Sequence, residues 1–351
     1  MGLVPTASNV NNEQGVLCSV CIANYNGEKF IENCIDSVLK QENIDFLFEI
    51  IVHDDASTDG SVDLLNEKYP NIRLLESKEN VGFCVGNNRM VSVAKGQFIL
   101  LLNNDAQLFP DALATLFAYA QSQHPQGVLS LPQYDWQTGE LVDRGCLLDP
   151  FYNPVPNLDS ARLDVAMVIG ACLWIPRQLW IELGGFPEWM GSIAEDMYLC
   201  CCARVRGYPV QVAPTSGYRH MQGMSFGGNR ASGRKLVSSY RRRILSERNK
   251  SCILFIFTPN LIFLCVLLMV HFFLLAIEGS ILSLIFGEKK IVKEIYFNSI
   301  GYLITNYNKL LDCRKSMQFN KSCSLIDYYK EFTFIPRKFT LLVNYGLPKV
   351  K

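Results

Sequence analysis

Along residues 17–120 the chain alternates short apolar runs with segments whose apolar residues recur at helical spacing. Residues 17–23 form a β-rich run that closes on Asn24-Tyr25-Asn26-Gly27, a turn composition. Phe30, Ile31, Ile35, Val38 and Leu39 then follow a helical period. Residues 48–52 read as the next strand, and Ser57 or Asp59 is expected to cap a helix that buries Val62, Leu65 and Tyr69. A third strand at 72–75 leads through Asn80-Val81-Gly82-Phe83 into a helix past Val91 to Ala94. The fourth, 98–102, breaks at Asn103-Asn104-Asp105, after which Pro110 opens a helix carrying Leu113, Leu116 and Phe117. Four alternations of strand and helix predict an α/β fold: a doubly wound, Rossmann-like, mostly parallel sheet with flanking helices.

From 128 to 228 the pattern loosens into scattered aromatics and prolines, with a helix expected at 199–205 and a late strand at 210–213. The last third changes character. Residues 253–277 are nearly uncharged, with Pro259-Asn260 early and His271 within, and their length suits a membrane span. A further apolar piece, 281–286, is too short to span alone. Both flanks are basic, so the positive-inside rule favours both ends on the cytosolic side, as a hairpin or a monotopic segment. Val292, Ile295, Tyr296, Leu303, Tyr307, Leu310 and Leu311 fall on one helix face, as in an interfacial amphipathic helix or a packed core helix.

Composition changes this picture in three places. Of 351 residues, 49% are hydrophobic and 19% charged, so a large core forms without disorder; the net charge of zero removes any global case for nucleic acid as a partner. Local charge is uneven: Arg234, Lys235, Arg241, Arg242, Arg243, Arg248 and Lys250 crowd ahead of the most apolar stretch. The thirteen cysteines are odd in number and many lie in apolar runs; Cys18 and Cys21 form a CxxC with no second pair at zinc spacing, and Cys200-Cys201-Cys202 has no ligand spacing. They read as reduced packing residues of a cytosolic domain. The polar stretch 1–15 has neither a basic n-region nor an apolar h-region of a signal peptide.

The candidate chemistry lies in four polar motifs: Asp54-Asp55-Ala56-Ser57-Thr58-Asp59-Gly60, Asn103-Asn104-Asp105-Ala106, Glu195-Asp196 and Arg219-His220. The first two close strand-like runs, where ligands sit in an open parallel sheet. A carboxylate at a strand end such as Asp55 can accept the imide N–H of uracil or thymine, and Tyr25 can stack on the same base. Asp105 emerges from a buried strand, where a carboxylate is costly unless it meets water or a cation; Mg²⁺ or Mn²⁺ bridged to a diphosphate is an apt partner. Glu195-Asp196 also suits an acidic helix start, a capping role compatible with catalysis. His220 stands before a glycine-rich segment, 223–229, suited to phosphate.

Taken in order, Asn24-Tyr25-Asn26-Gly27, residues 54–60, 80–83 and 102–106, Gly184-Gly185-Phe186-Pro187-Glu188, Glu195-Asp196 and His220 resemble the inverting family 2 glycosyltransferases of GT-A fold. The likeness is to rhamnosyltransferase-type members of bacterial surface polysaccharide assembly, and it covers about residues 16–250. It implies that Tyr25 and Asp55 hold the base, with Asn80 and Gly82 in the same nucleotide site, and that Asn104 takes the ribose–diphosphate position. It further implies that Asp105 and His220 bind the metal, and that Asp196, beside Glu195, is the general base. Two positions depart from the family pattern: the DxD element holds one acid, Asp105, and the last position of the Glu-Asp-x-Asp element is Tyr198.

The resemblance up to about residue 250 and the apolar patterning beyond it together suggest a partition. Residues 1–15 would be a polar tail, 16–232 the GT-A catalytic domain, 233–251 a basic linker, 252–287 an apolar membrane segment and 288–351 an amphipathic helical region. The expected partners are a UDP- or dTDP-sugar, a glycan or lipid-linked oligosaccharide acceptor, and the cytoplasmic face of the plasma or inner membrane. A processive synthase is disfavoured because no tryptophan completes a Gln-x-x-Arg-Trp element, and a dinucleotide oxidoreductase because Gly-x-Gly-x-x-Gly does not follow the first strand. A polyprenyl-phosphate glycosyltransferase and an inactive membrane-associated nucleotide-binding scaffold stay open.

Overall fold

The computed structural model describes residues 15–221, 228–232, 235–347 and 349–350. The polar tail before residue 15, Arg234, and residues 223–227 of the glycine-rich segment lie outside them. In the first compact unit, β1 (Cys18–Asn24), β2 (Phe48–Asp54), β3 (Arg73–Glu76) and β4 (Phe98–Asn103) are joined by α1 (Ile31–Leu39), α2 (Ser61–Lys68) and α3 (Phe83–Val93). They pair in parallel in the order β3-β2-β1-β4. Next come β5 (Ala106–Leu108), α4 (Ala112–Ser122), β6 (Val128–Ser130), β7 (Gln133–Asp135), β8 (Leu141–Asp143) and a small ladder of β9 (Cys146–Leu148) with β10 (Pro154–Pro156). They are followed by β11 (Cys172–Pro176), α5 (Arg177–Leu183), α6 (Glu195–Val205), β12 (Val210–Val212) and β13 (Tyr218–His220).

The main sheet runs on from β4 through β11, which is antiparallel, to β6 and β12. It is thus mostly parallel, with helices on its faces. Every residue of β2 is buried, as expected of a central strand covered on both sides. Ile31, Ile35 and Val38 of α1 join the same core as Val20, Ile22, Ile50 and Leu100, and Trp174 stacks on Phe98 with ring centroids 5.0 Å apart. Strand order reverses between β1 and β4, so their C-terminal ends open a crevice, the usual ligand position in such sheets. A second sheet, β5-β13-β7-β8, stands beside the exit of β4.

The second compact unit is made of Leu147–Val155, Arg204–Gly207 and the chain from Gln222 onward. It contains a sheet of β14 (Gly228–Ser232), β15 (Lys235–Ser238) and β16 (Lys349–Val350), and the helices α7 (Tyr240–Phe257) and α8 (Leu261–Phe286). A π-helical segment, Ile291–Phe297, precedes α9 (Asn298–Thr305), α10 (Tyr307–Phe319), α11 (Leu325–Tyr329) and α12 (Arg337–Tyr345).

Two expectations about this region change. The apolar stretch 253–277 is not one segment: Ile253 to Phe257 end α7 as buried core, and the chain breaks at Thr258-Pro259-Asn260. Asn260 caps the following helix through Phe263 N–H, and that helix absorbs 281–286. The stripe through Ile295, Tyr296, Leu303 and Leu310 is turned inward, Ile295 and Tyr296 packing with Leu275 and Leu282 of α8; only Tyr307 of that group is half exposed. Core packing, the other reading of the stripe, is what those residues do.

Candidate active site

The crevice is built from side chains that close strand ends on one another. Asn24, the last residue of β1, donates from Nδ2 to Asp54 Oδ1 (2.8 Å) and accepts at Oδ1 from Asn104 Nδ2 (2.8 Å). One buried amide therefore ties the ends of β2 and β4 to β1. Gly27 completes the contact: a Cβ there would lie 2.1 Å from both Asn104 Nδ2 and Asn24 Oδ1. Ser57 does not cap α2; its Oγ donates to Asp54 Oδ1 and accepts from Asn26 N–H (2.9 Å), while Asp59 accepts from Ser61 N–H at the helix start. The turn after β1 and the acidic loop after β2 are thereby one hydrogen-bonded surface, on which the Tyr25 ring stands half exposed.

Asp55 is nearly buried, and both its oxygens are engaged: Oδ1 accepts from Val81 N–H (2.7 Å) and Oδ2 from Gly82 N–H (2.9 Å). The carboxylate thus holds the 80–82 loop at the N-terminus of α3, with Gly82 against Asp55 and Asn80 one residue before Val81. Gly82 has φ +90°, which a side chain would strain. A carboxylate with two accepted bonds retains lone pairs for a third donor.

Asp105 and His220 meet. β13 pairs antiparallel with β5, His220 opposite Ala106, and this registry sets His220 Nε2 3.2 Å from Asp105 Oδ1, both residues almost fully buried. Arg219, the alternate residue of the strand, faces outward over Phe109. On the other side of the imidazole, Nδ1 lies 3.3 Å from Gln133 Oε1, which also accepts from the Tyr218 hydroxyl at 2.8 Å. An amide oxygen only accepts, so this contact places a ring proton on Nδ1, while Nε2 faces Asp105 Oδ1 and, at 3.5 Å, Asn103 Nδ2. One oxygen and one nitrogen donor fit a divalent cation that takes its remaining ligands from diphosphate and water. Among the described residues no group of three His, Cys, Asp or Glu could hold a metal without such help.

Asp196 stands on the first turn of α6 after two residues with positive φ, Ile193 (69°) and Ala194 (70°). Its Oδ2 accepts from Gly170 N–H at 2.9 Å, and the next carbonyl, Ala171, accepts from Asn103 N–H at the end of β4. The acid is thereby set beside the β4 exit, with Glu195 buried next to it. Strain held ahead of a polar helix start is a feature of functional sites. In the loop before α6, Phe186 N–H and C=O both bond the Asn88 amide of α3, which accounts for the Gly184-Gly185-Phe186 motif.

Asn24, Gln133 and His53 were not singled out from sequence. His53 is buried, with Nε2 3.1 Å from Ser77 Oγ, and burial pushes its imidazole below the ordinary histidine range. Asn24 carried a signal, since it opens the turn motif; Gln133 carried none, because only the β13–β7 pairing puts it behind His220.

Asp143, at the end of β8, is raised by burial to about 7, against lowering by the Gly145 N–H and the His220 charge. Between the unfolded value of 3.8 and about 7 the unfolded chain loses this proton and the folded one keeps it, so stability falls as pH rises through that window. Asp143→Asn removes this fall. The drop in melting temperature from pH 5 to pH 8 is expected to be smaller in the variant, by differential scanning fluorimetry; equal drops would refute the assignment.

Residues 19–183 match the family model described as glycosyl transferase family 2. Chondroitin synthase of Pasteurella multocida (strain Pm70) is 33% identical over 200 residues, 52% of this chain; the chain covers only 18% of that protein's length. Among solved structures, S. aureus TarS 1–349 in complex with UDP aligns over 87% of this chain and 90% of its own, with a TM-score of 0.52 and 15% identity. GalNAc-T7 with UDP, GalNAc and Mn²⁺ aligns over 96% of this chain and 59% of its own, with a TM-score of 0.63 and 14% identity. At such identities the structural likeness establishes the fold. Together with the family match it identifies residues 19–183 as a glycosyl transferase family 2 domain, in a chain of GT-A fold.

Proposed function

We propose that the protein transfers a sugar from a UDP- or dTDP-sugar to a hydroxyl of a glycan acceptor, by a single displacement with inversion, in polysaccharide assembly. The observation that carries this is the buried Asp105–His220 pair at the mouth of the β1/β4 crevice, 3.2 Å apart. The Tyr25 ring stacks on the base, and Asp55 accepts the imide N–H of uracil or thymine. Asn80 and Gly82 line the same loop, and Asn104 faces the ribose and diphosphate. Asp105 and His220 would hold Mg²⁺ or Mn²⁺, which when bound stabilises charge on the departing diphosphate. Asp196 removes the proton of the acceptor hydroxyl on the face opposite the leaving group, with Glu195 adding negative charge beside it. The UDP and Mn²⁺ recorded with the structurally similar proteins support this assignment of donor and metal.

The acceptor is proposed to be lipid-linked and the domain to work on the cytoplasmic face of the membrane, supported by the single long apolar helix among the described residues. Isothermal titration of the full chain with UDP and with dTDP, with and without Mn²⁺, tests the reading. Metal-dependent binding of one nucleotide is expected; nucleotide binding indifferent to metal, or none, would sink it.

A further inference from the structure

α8 is long enough to cross a bilayer: its 26 residues extend about 39 Å at 1.5 Å each. Its two faces differ. One face, Leu264, Leu267, His271, Leu275, Gly279 and Leu282, is buried within the second unit. All its strongly polar side chains lie on or beside that face. His271 Nε2 is 2.8 Å from Ser251 Oγ, and Glu278 binds Arg243 and Lys338, the latter at 2.7 Å. Lys338 also reaches Glu247 (2.9 Å), which in turn neighbours Lys250 (3.3 Å), whose ammonium donates to Asn153 Oδ1 (2.6 Å). Burial favours a neutral Glu247, but Lys250, Lys338 and Arg243 outweigh it and hold the carboxyl well below the carboxylate range. Five ionic groups from α7, α8 and α12 thus form one network under the helix.

The opposite face is apolar except for the exposed hydroxyl of Ser280. Ile262, Met269, Phe273 and Leu284 are between 65% and 84% exposed, and no charged residue interrupts the stripe. α12, joined to α8 through Lys338, also exposes the apolar side chains of Phe339 and Val343. Such a stripe exceeds what a soluble monomer leaves in water. After the Gly287 cap come Glu288, Lys289, Lys290, Lys293 and Glu294, all exposed, three cations against two anions. The excess of positive charge at the end of the apolar face complements the headgroup layer of an anionic bilayer.

We infer that α8 lies in the plane of an anionic membrane surface, its outward stripe in the headgroup–acyl boundary and its polar face stapled to the protein. A crossing orientation would carry Glu278 and its partners into hydrocarbon, or tear the helix from them, and either is costly. An in-plane helix leaves the network intact and covers the whole stripe. This surface stands independently of the sugar-transfer chemistry.

Flotation of the full chain with vesicles of phosphatidylcholine containing phosphatidylglycerol, compared with phosphatidylcholine alone, tests the partner. Binding to the anionic vesicles is expected, with Ile262→Asp, Phe273→Asp and Leu284→Asp each weakening it about tenfold or more. Circular dichroism melts of these exposed-site variants check folding. No vesicle binding, or a dimer in solution that Phe273→Asp dissolves, would overturn the inference. Orientation is read from Asn260→Cys and Glu288→Cys on bound vesicles with a membrane-impermeant maleimide, above the labelling of the parent chain. Both ends labelled from the added side supports the in-plane helix; one end protected until the vesicles are opened would establish a span.

Discussion

Asp196→Asn is expected to lower the turnover of sugar transfer by about 10²–10⁴-fold while leaving nucleotide affinity within about twofold. The substitution keeps one oxygen that can accept from Gly170 N–H, gives up the bond that the other oxygen accepts from Met197 N–H (2.7 Å), and removes the capacity to take a proton. Loss should fall on kcat and kcat/KM alike, because the interaction strengthens in the transition state. Radiolabelled transfer assays paired with nucleotide titration separate the outcomes. If nucleotide binding disappears with activity, Asp196 is a structural cap of α6. If activity survives, the base lies elsewhere, with Glu195 the next candidate.

The second large effect is expected at Asp105. Asp105→Asn removes the only acid of the DxD-like element and leaves a neutral amide oxygen beside His220. Enhancement of UDP or dTDP binding by Mn²⁺ should vanish, and kcat/KM should fall on the order of 10³-fold, equivalent to several kcal/mol of lost charge stabilisation. The metal-free nucleotide affinity should change little, since Tyr25 and Asp55 do not touch this side chain's chemistry. Mn²⁺ enhancement that persists in Asp105→Asn would mean the cation is held by other groups. A melting curve guards against misfolding, because Asp105 is buried against His220 and its neutral isostere keeps the packing.

Much of the frame was legible in the chain. The four parallel strands and their helices fall within a few residues of where apolar periodicity put them, because a buried parallel strand needs a continuous apolar run and a covering helix a repeating stripe. Less was legible where packing decides. Ser57 has the composition of a cap, yet Asp54 and Asn26 claim its hydroxyl. The apolar stretch 253–277 looks continuous by composition, but the break at Pro259-Asn260 assigns its first residues to a core and the rest to an exposed helix. Length and hydropathy cannot distinguish those two fates; neighbours do.

What the chain determines by itself is local: apolar runs that end at or just before Asn24, Asp54 and Asn103, turn compositions after them, and the order of acids along them. Local rules act over a few residues, so they survive without the fold. Tertiary structure decided what meets what. His220 lies more than a hundred residues from Asp105, and only the β5–β13 pairing closes that distance to 3.2 Å. Gln133 gains its place behind the imidazole from the β7–β13 pairing in the same sheet. Glu278 of the apolar α8 is neutralised by Arg243 and Lys338, which arrive from other elements. Long-range pairing of charge and hydrogen bonds depends on geometry that no short stretch of sequence contains, and there the Asp105–His220 contact and the two faces of α8 were set.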